Sequence, residues 1–358
     1  MNRWFISMVS DGKYIYWLTE LSGHFFRLNL NNLKAEFIRP LGDYNNYNGA
    51  AILCIKDDVI YFVLSSGKLL IAYNIKYNTI HKYDVGCQDM YLNMFSYAEV
   101  VKNTLIIIPI YSPYIIYIDL NSGDVDKKQL RKSDPSSFKM YHTNSIISNE
   151  MRRVELINVD TAQYSIYNIT EEDIKEEEKV SLNISNAVSI EKGRDGIYVL
   201  DHENVIYKYD NGSCRKLAKI DDEPDGYFVL HNANDWLWIM PLYGQKIYKY
   251  NIKTKIMHEY VDYPNGYSYN ALPSMGKFTS KCKVGNLTYF SMHAGTHIFC
   301  VDNNTGEGRF LDIQWPDWKE SSDEVIYKKF DMLYEKELSL QSYIKYGIKY
   351  GFDKFINK

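Results

Sequence analysis

The chain has 358 residues, of which 46% are hydrophobic and 24% are charged, and its net charge is −4 at pH 7. This length exceeds what one compact core usually supports, so we expect several domains or a repeat architecture. The slightly acidic balance excludes the basic footprint that nucleic-acid-binding proteins carry.

The N-terminal stretch MNRWFISMVSDG lacks the apolar segment and the cleavage site of a signal peptide. No window of the chain has the run of apolar residues that a transmembrane helix needs. The 5 cysteines are dispersed and form no CxxC pair, which predicts reduced thiols. These features together predict a cytoplasmic protein of a bacterium.

A short phrase that ends in Asn or Asp recurs along the chain with a spacing of about 45 residues. The phrase is FRLN near the N-terminus and YKYN near residue 250, and its last residue serves as an anchor. The seven anchors are Asn29, Asn74, Asp119, Asn168, Asp210, Asn251 and Asp302. A large apolar residue in a strand-like run lies 13 residues before each anchor, and Glu155 is the exception. The residues at this offset are Tyr16, Tyr61, Ile106, Glu155, Ile197, Trp238 and Tyr289.

Each repeat predicts four antiparallel strands. The strand-like run that contains the large apolar residue pairs with the run that ends at the anchor, and the two form a hairpin. Another strand precedes this hairpin, and a polar strand follows the anchor. Asn or Asp at the anchor can accept a hydrogen bond from the backbone two residues on, which favours a turn. Gly123, Gly212 and Gly306 follow three anchors, where we expect positive φ. Seven such units predict an all-β, seven-bladed β-propeller.

The runs KYIYWL and GIYVL and the turn NNTGEG resemble the bacterial kelch-like and pyrroloquinoline-type propeller repeats, in which a DGxIY…LYxLDxxTG phrase marks each blade. The resemblance covers residues 3–316 and implies the architecture, not an activity. The double glycine of kelch repeats and the WD dipeptide are absent.

We expect two parts, a propeller at 1–316 and a helical tail at 317–358. The first blade holds four strands of its own and the seventh is complete near Ile313, which favours closure of the ring by packing of these two blades. Blade four has an acidic outer region, ITEEDIKEEEKV, which is either a charged edge strand that prevents edge-to-edge pairing or a docking patch for a basic partner.

The tail loses the period of two and predicts a helix with one apolar face. This face holds Ile344, Ile348, Phe352 and Phe355. The helix either packs on the propeller, docks on a partner protein, or lies on an anionic membrane surface with its lysines.

The motifs of nucleotide-binding proteins, zinc proteases and serine hydrolases are absent, and the pattern indicates no cofactor. His293 and His297 are the closest histidine pair but lack a third ligand, so we predict no metal. Polar residues that loops bring towards the channel are the catalytic candidates: Glu20, His24, Asp43, His142 and His293.

The loops between blades are rich in tyrosine and amides, which suit glycan and peptide binding. We expect them to form a rim at the channel mouth, made of Asp43, Tyr44, Asn45, Tyr47, Tyr91, Tyr97, Tyr141, His142, Asn265, Tyr267 and Tyr269. Packing of these rings between blades is the alternative.

Two functions compete, beside a third hypothesis of a membrane-surface protein held by its basic C-terminal helix. The first is a non-catalytic binding or scaffold protein whose partner is a protein, a peptide or a glycan. The second is an enzyme of hydrolase, lyase or cyclase type with its site at the channel mouth, because such sites take single residues from several blades. The absence of catalytic motifs favours the first.

Overall fold

The computed structural model describes residues 5–19, 24–41, 51–64, 69–84, 95–109, 114–129, 140–147, 152–158, 163–170, 174–182, 184, 187–193, 195–210, 212–222, 226–242, 246–264, 267, 278–292 and 297–316. Every regular element in these ranges is a β-strand. Within the same ranges, no helix has the length and hydropathy that a membrane span requires. The predicted helical tail and its face of Ile344, Ile348, Phe352 and Phe355 lie outside the described residues.

The first four blades each contain four consecutive strands. In blade 1 these are β1 (Phe5–Ser10), β2 (Tyr14–Thr19), β3 (His24–Asn29) and β4 (Lys34–Pro40). In blade 2 they are β5 (Ala51–Lys56), β6 (Val59–Leu64), β7 (Leu69–Asn74) and β8 (Thr79–Asp84). In blade 3 they are β9 (Phe95–Val101), β10 (Thr104–Pro109), β11 (Tyr114–Asp119) and β12 (Val125–Gln129). In blade 4 they are β13 (Met140–Ile147), β14 (Arg152–Asn158), β15 (Gln163–Ile169) and β16 (Ile174–Ser181).

The last three blades follow the same plan. In blade 5 the strands are β17 (Ala187–Gly193), β18 (Gly196–Asp201), β19 (Val205–Asp210) and β20 (Ser213–Lys219). In blade 6 they are β21 (Tyr227–Ala233), β22 (Trp236–Pro241), β23 (Tyr248–Asn251) and β24 (Met257–Glu259). In blade 7 they are β25 (Phe278–Val284), β26 (Leu287–Met292), β27 (Ile298–Asp302) and β28 (Gly308–Phe310).

Each group forms one antiparallel four-stranded sheet in chain order, so the described strands form the predicted seven-bladed β-propeller. The first strands of successive blades contact one another, including β1 with β25, and they therefore surround the axial channel. Turns between first and second strands, and between third and fourth strands, lie at one end of the channel. The loops between blades lie at the opposite end, because the strands alternate in direction.

The anchors end the third strands and form the predicted turns. The Oδ1 atoms of Asn29, Asp119, Asn251 and Asp302 accept backbone N–H groups two residues on, at 2.7 to 3.0 Å. The glycines expected to have positive φ do so, at 80° for Gly123, 82° for Gly212 and 75° for Gly306. These turn contacts explain the recurrence of the phrase.

A second contact explains the stretches DGKYIY of blade 1 and DGIY of blade 5. In blade 1 the Tyr16 hydroxyl donates to Asp11 Oδ2 at 2.8 Å, and in blade 5 the Tyr198 hydroxyl donates to Asp195 Oδ1 at 2.7 Å. The Asp of each turn thus fixes the tyrosine of the strand that follows it. Tyr198 therefore corresponds to Tyr16, and the prediction of Ile197 for this position was wrong. The blade 5 hairpin is one residue shorter, because Tyr198 pairs with Lys208 whereas Tyr16 pairs with Arg27.

The core is divided into clusters between neighbouring blades. Between blades 1 and 2, for example, Tyr16 and Phe25 pack on Phe62 and Tyr73. Comparable clusters fill five further described interfaces, up to the one between blades 6 and 7. The hydrophobic effect therefore stabilises each blade mainly through its neighbours, as expected of a repeat architecture.

The ring closes without exchange of a strand between the terminal blades. The Met8 N–H of β1 donates to Ser280 Oγ of β25 at 3.2 Å. Beyond blade 7, Gln314 pairs in parallel with the start of β4 through the Leu33 carbonyl and the Ala35 N–H, both at 2.9 Å. Pro316, two residues further along the chain, has no N–H with which to continue such a ladder. Packing of the first and last blades is thus supplemented by a one-residue latch.

Replacing Trp315 with alanine is expected to lower the free energy of unfolding by about 1 kcal/mol, because an aromatic pair is lost. The Trp315 ring lies edge-on to the buried Trp17 ring, with centroids 5.8 Å apart. Urea denaturation followed by circular dichroism measures the change. Tyr77→Ala, at a ring that is 66% exposed, is the control and should leave the midpoint unchanged. Equal midpoints for Trp315→Ala and the parent would show that the ring contact between Trp315 and Trp17 adds no stability.

Replacing Gly306 with alanine is expected to cost about 3 kcal/mol, because strain at positive φ is combined with a clash. A Cβ atom at this position would lie 2.3 Å from Trp236 Cδ1 and 2.9 Å from the Ala233 carbonyl oxygen. Gly212→Ala is the matched control, since its φ is also positive but nothing lies within 4 Å. We expect about 1 kcal/mol for the control. Similar midpoints in urea for the two variants would contradict the clash.

The chain divides into two compact units, Met1–Trp315 and Pro316–Lys358. The first contains all the described strands.

Candidate functional site

Most of the predicted rim lies outside the described residues. This holds for Asp43, Tyr44, Asn45, Tyr47, Tyr91, Asn265 and Tyr269, whose part in a rim stays a prediction. Tyr141 and His142 belong to β13, where they pair with Ile157 and Leu156 next to a β-bulge. The structure describes only the backbone of these two residues.

Two predicted rim tyrosines have described side chains, and both are buried. Tyr97 is 6% exposed and belongs to the cluster between blades 3 and 4. Tyr267 is 8% exposed and packs between blades 6 and 7, with its ring centroid 4.8 Å from that of Tyr263. Both rings thus pack between blades, which is the alternative to a place in the rim that the sequence analysis left open.

The predicted catalytic candidates are only partly described. Glu20, Asp43 and His293 lie outside the described residues. His24 is buried in blade 1, with its ring edge-on to Phe37 at 5.4 Å. His297 is half-buried beside Phe310, and burial lowers the pKa of its imidazole. The candidate His24, and His297 of the predicted histidine pair, therefore both pack among aromatic rings.

The channel wall is built by side chains that cover the inner edges of the blades. A first strand has one free edge, and unpaired N–H groups there would be costly. Ser7 of β1 accepts the N–H of Leu53 in the next blade at 3.1 Å. In blade 5, Ser189 accepts the N–H of Leu230 at 3.3 Å, and Glu191 accepts that of Asn232 at 3.1 Å.

Glu191 is also the centre of a charged cluster that crosses three blades. Its Oε2 lies 3.0 Å from Lys281 Nζ of β25, and its Oε1 lies 3.2 Å from His231 Nδ1 of β21. Blades 5 and 7 are not neighbours, so this ion pair spans blade 6, whose His231 contacts the same carboxylate. We name Glu191, His231 and Lys281 the channel cluster.

The electrostatics of the channel cluster keep Glu191 ionised. Burial alone would raise the pKa of this carboxyl, whose side chain is 11% exposed. Lys281, His231 and the Asn232 N–H outweigh burial and lower the pKa to about 2. A carboxylate with this pKa is poorly suited to general acid or base catalysis, which works best with a pKa near the ambient pH.

Both ring nitrogens of His231 face protein oxygens. Nε2 lies 2.7 Å from Asn303 Oδ1. Asn303 Nδ2 donates to Thr288 Oγ1 at 3.0 Å, which fixes the orientation of the Asn303 amide. Nε2 is therefore the donor to Oδ1. Nδ1 is at ion-pair distance from Glu191 but lacks the geometry of a hydrogen bond. We therefore attribute the effect of His231 on Glu191 to its proximity. Nε2 is thus bonded to Asn303, and Nδ1 is buried beside the Glu191 carboxylate.

The sequence contained a signal for this cluster that the strand pattern obscured. Glu191, His231 and Lys281 stand in three successive first strands, within SIEK, LHNA and SKCK. In β17, Glu191 pairs with Tyr198. At the corresponding position β1 has Val9, which pairs with Tyr16, and β5 has Cys54, which pairs with Tyr61. Glu191 and His231, which pairs with Trp238 at the same position, in place of small apolar residues could have indicated a channel cluster. Lys281 lies one residue before the equivalent position, which holds Cys282.

The cysteines in the described part of the chain are free thiols: Cys54, Cys214, Cys282 and Cys300. Burial raises the pKa of Cys282 to about 12 and that of Cys300 to about 11. Since the thiolate is the nucleophile, these two thiols are unreactive near neutral pH. No group of three His, Cys, Asp or Glu side chains within the described residues is placed to hold a metal ion.

No family model matches the chain, and no curated protein matches it. The chain is similar to a structure of streptogramin B lyase at 11% identity, with a TM-score of 0.55 over 82% of this chain and 91% of that one. It is also similar to the extracellular domain of a hybrid two-component system from B. thetaiotaomicron, at 12% identity and a TM-score of 0.54, over 85% of this chain and 41% of that one.

A third similar structure is PorZ, a surface component of the type-IX secretion system of Porphyromonas gingivalis. The identity is 11% and the TM-score 0.50, over 88% of this chain and 38% of that one. The chain thus spans less than half of the last two proteins. At such identities the likeness shows the propeller fold alone, because one fold supports many functions.

Proposed function

We propose that the protein is a non-catalytic binding or scaffold protein that holds a peptide, a protein loop or a glycan at the mouth of its channel. The observation that carries this proposal is the self-neutralised channel cluster. Glu191 is held ionised and both nitrogens of His231 face protein oxygens. The titratable groups that converge in the described channel are therefore committed to joining blades.

The binding surface that we propose is the end of the channel where the loops between blades lie. The channel cluster is nearer the other end, because Asn303 belongs to the turn between β27 and β28. First strands held by the inner-edge hydrogen bonds would give these loops a rigid base. Tyrosine rings stack on sugars and peptide groups, and asparagine amides adapt their hydrogen bonds to the ligand.

The test compares two tyrosine changes at opposite ends of the channel. The double variant Tyr44→Ala, Tyr47→Ala alters the proposed rim. Tyr77→Ala alters a 66% exposed ring in the turn between β7 and β8, at the other end. Full-length protein is applied to glycan and peptide arrays, and each hit is measured by titration calorimetry. We expect the rim variant to lose about tenfold in affinity, about 1.4 kcal/mol, and the control to bind normally. Equal binding by both variants would refute the rim.

The alternative function is an enzyme, and the convergence of Glu191, His231 and Lys281 is the observation that favours it. The enzyme function would be established if the parent turned over hydrolase, lyase or cyclase substrates and a folded His231→Gln variant did not. Under the binding proposal, His231→Gln leaves ligand affinity at the rim unchanged.

We further propose that the protein acts in the cytoplasm and that its C-terminal helix is a packing or docking element. Loss of the apolar face in Ile344→Asp, Ile348→Asp would then release a partner in pull-downs or lower the melting temperature. If the parent binds lipid vesicles and this variant does not, the helix instead binds a membrane surface.

A further inference from the structure

A groove of about 410 Å³ lies on the outer margin of the propeller at blades 6 and 7. Its lining includes residues of β23 and β27 and the outer strands β24 and β28. These outer strands have 3 residues each, whereas the other five have between 5 and 8. Glu259 of β24 and Gly308 and Arg309 of β28 border the groove.

The charges of the groove are incompletely paired. Glu259 forms an ion pair with Lys246 at 2.7 Å, and Lys249 Nζ lies over the Trp236 ring, 4.7 Å from its centroid. Asp262 and Glu307 also line the groove, are exposed, and have no ion-pair partner within the described ranges. The lining as a whole holds four carboxylates, those of Glu259, Asp262, Asp302 and Glu307, against the two cations Lys249 and Arg309. This acidic excess favours a positively charged ligand.

The backbone and one apolar side chain define the shape of this ligand. β24 and β28 are edge strands of their sheets, and an edge strand can pair with an added extended segment. Val261 lines the groove and is 73% exposed, which is the largest exposure among the large hydrophobic residues that the structure describes. An extended chain with alternating apolar and basic side chains complements both features.

We propose that the groove is a second binding site, for an extended peptide segment that carries basic side chains. The backbone of the segment pairs with an outer edge strand, an apolar side chain covers Val261, and a basic side chain reaches Asp262 and Glu307. This site lies on the outer flank and is separate from the mouth of the channel. It therefore does not depend on the function proposed for the rim.

The probe is a short fluorescein-labelled peptide of alternating lysine and valine, with a glutamate–valine peptide as its charge-reversed counterpart. Fluorescence anisotropy with the full chain measures saturation at low and at physiological salt. We expect the basic peptide to saturate. The double variant Asp262→Asn, Glu307→Gln should weaken its binding about tenfold, since two charged contacts at the rim of an interface are lost.

The matched control is Asp126→Asn, Glu203→Gln, which removes two exposed carboxylates elsewhere and leaves the net charge equal to that of the test variant. The proposal predicts parental affinity for this control. No saturation, an equal loss in the control, or tighter binding of the acidic peptide would each overturn the site. If the test variant does not fold, Val261→Ser is substituted, and the site is rejected if this variant binds as tightly as the parent.

Discussion

Replacing Glu191 with glutamine is expected to lower the free energy of unfolding by about 2 kcal/mol. Breaking a buried ion pair typically costs about 3–5 kcal/mol, because the remaining charge stays buried. The smaller value applies here because the Lys281 side chain is 34% exposed and water solvates it partly. Glutamine still offers an oxygen to the Asn232 N–H, so the change reports the charge. Urea denaturation followed by circular dichroism measures the effect.

Glu259→Gln is the matched control for this prediction. It removes the same charge from an ion pair with Lys246, at side chains that are 36% and 46% exposed. We expect less than about 0.5 kcal/mol. Adding Lys281→Met to Glu191→Gln should recover part of the stability, because the unpaired ammonium is removed with its partner. A loss for Glu191→Gln no larger than that of the control would show that the channel cluster does not join the blades.

The contribution of Glu191 also depends on pH with a definite sign. Its pKa is lowered in the folded protein, from an ordinary 4.5 to about 2. The stabilisation is therefore complete above the ordinary value and is lost as pH falls towards 2. We expect the difference in midpoint between the parent and Glu191→Gln to be constant from neutral pH to about 5 and to shrink below that. A constant difference down to pH 3 would contradict the role of the carboxylate charge.

Replacing Trp238 with alanine is expected to lower the free energy of unfolding by about 4 kcal/mol, the range for deletion of a large buried aromatic side chain. The Trp238 side chain is fully buried between blades 6 and 7, and its ring centroid lies 5.3 Å from that of Phe299. Circular dichroism in urea is the measurement, because the change itself removes a fluorophore. The cavity left behind cannot collapse easily, since it is bounded by strands of two sheets.

Trp238→Phe separates packing from hydrogen bonding. The indole Nε1–H donates to the Gly306 carbonyl at 3.2 Å, and phenylalanine keeps much of the ring while leaving that carbonyl without its donor. We expect a loss of about 2 kcal/mol, of which the unpaired carbonyl is a large part. A loss below 1 kcal/mol for Trp238→Ala would mean that this interface does not limit the stability of the propeller.

The local pattern was sufficient to predict the architecture. Strand alternation, the anchors and the glycines at positive φ act within a few residues, so they are visible in the printed sequence. The predicted turn contacts at Asn29 and Asp302 are present in the described residues. The one error of register, at Ile197, arose because hairpin length sets which face a residue occupies, and a fixed offset cannot detect a hairpin one residue shorter.

The sequence by itself therefore determined the seven blades, their four strands and the turns that join them. Only the tertiary structure decided which side chains meet across blades. Glu191 and Lys281 are 90 residues apart in the chain and form an ion pair at 3.0 Å. The Gln314 latch on β4 joins the two ends of the propeller in the same way. Such contacts depend on the curvature that closes the ring, which results from all seven blade interfaces together and is not encoded in any one repeat.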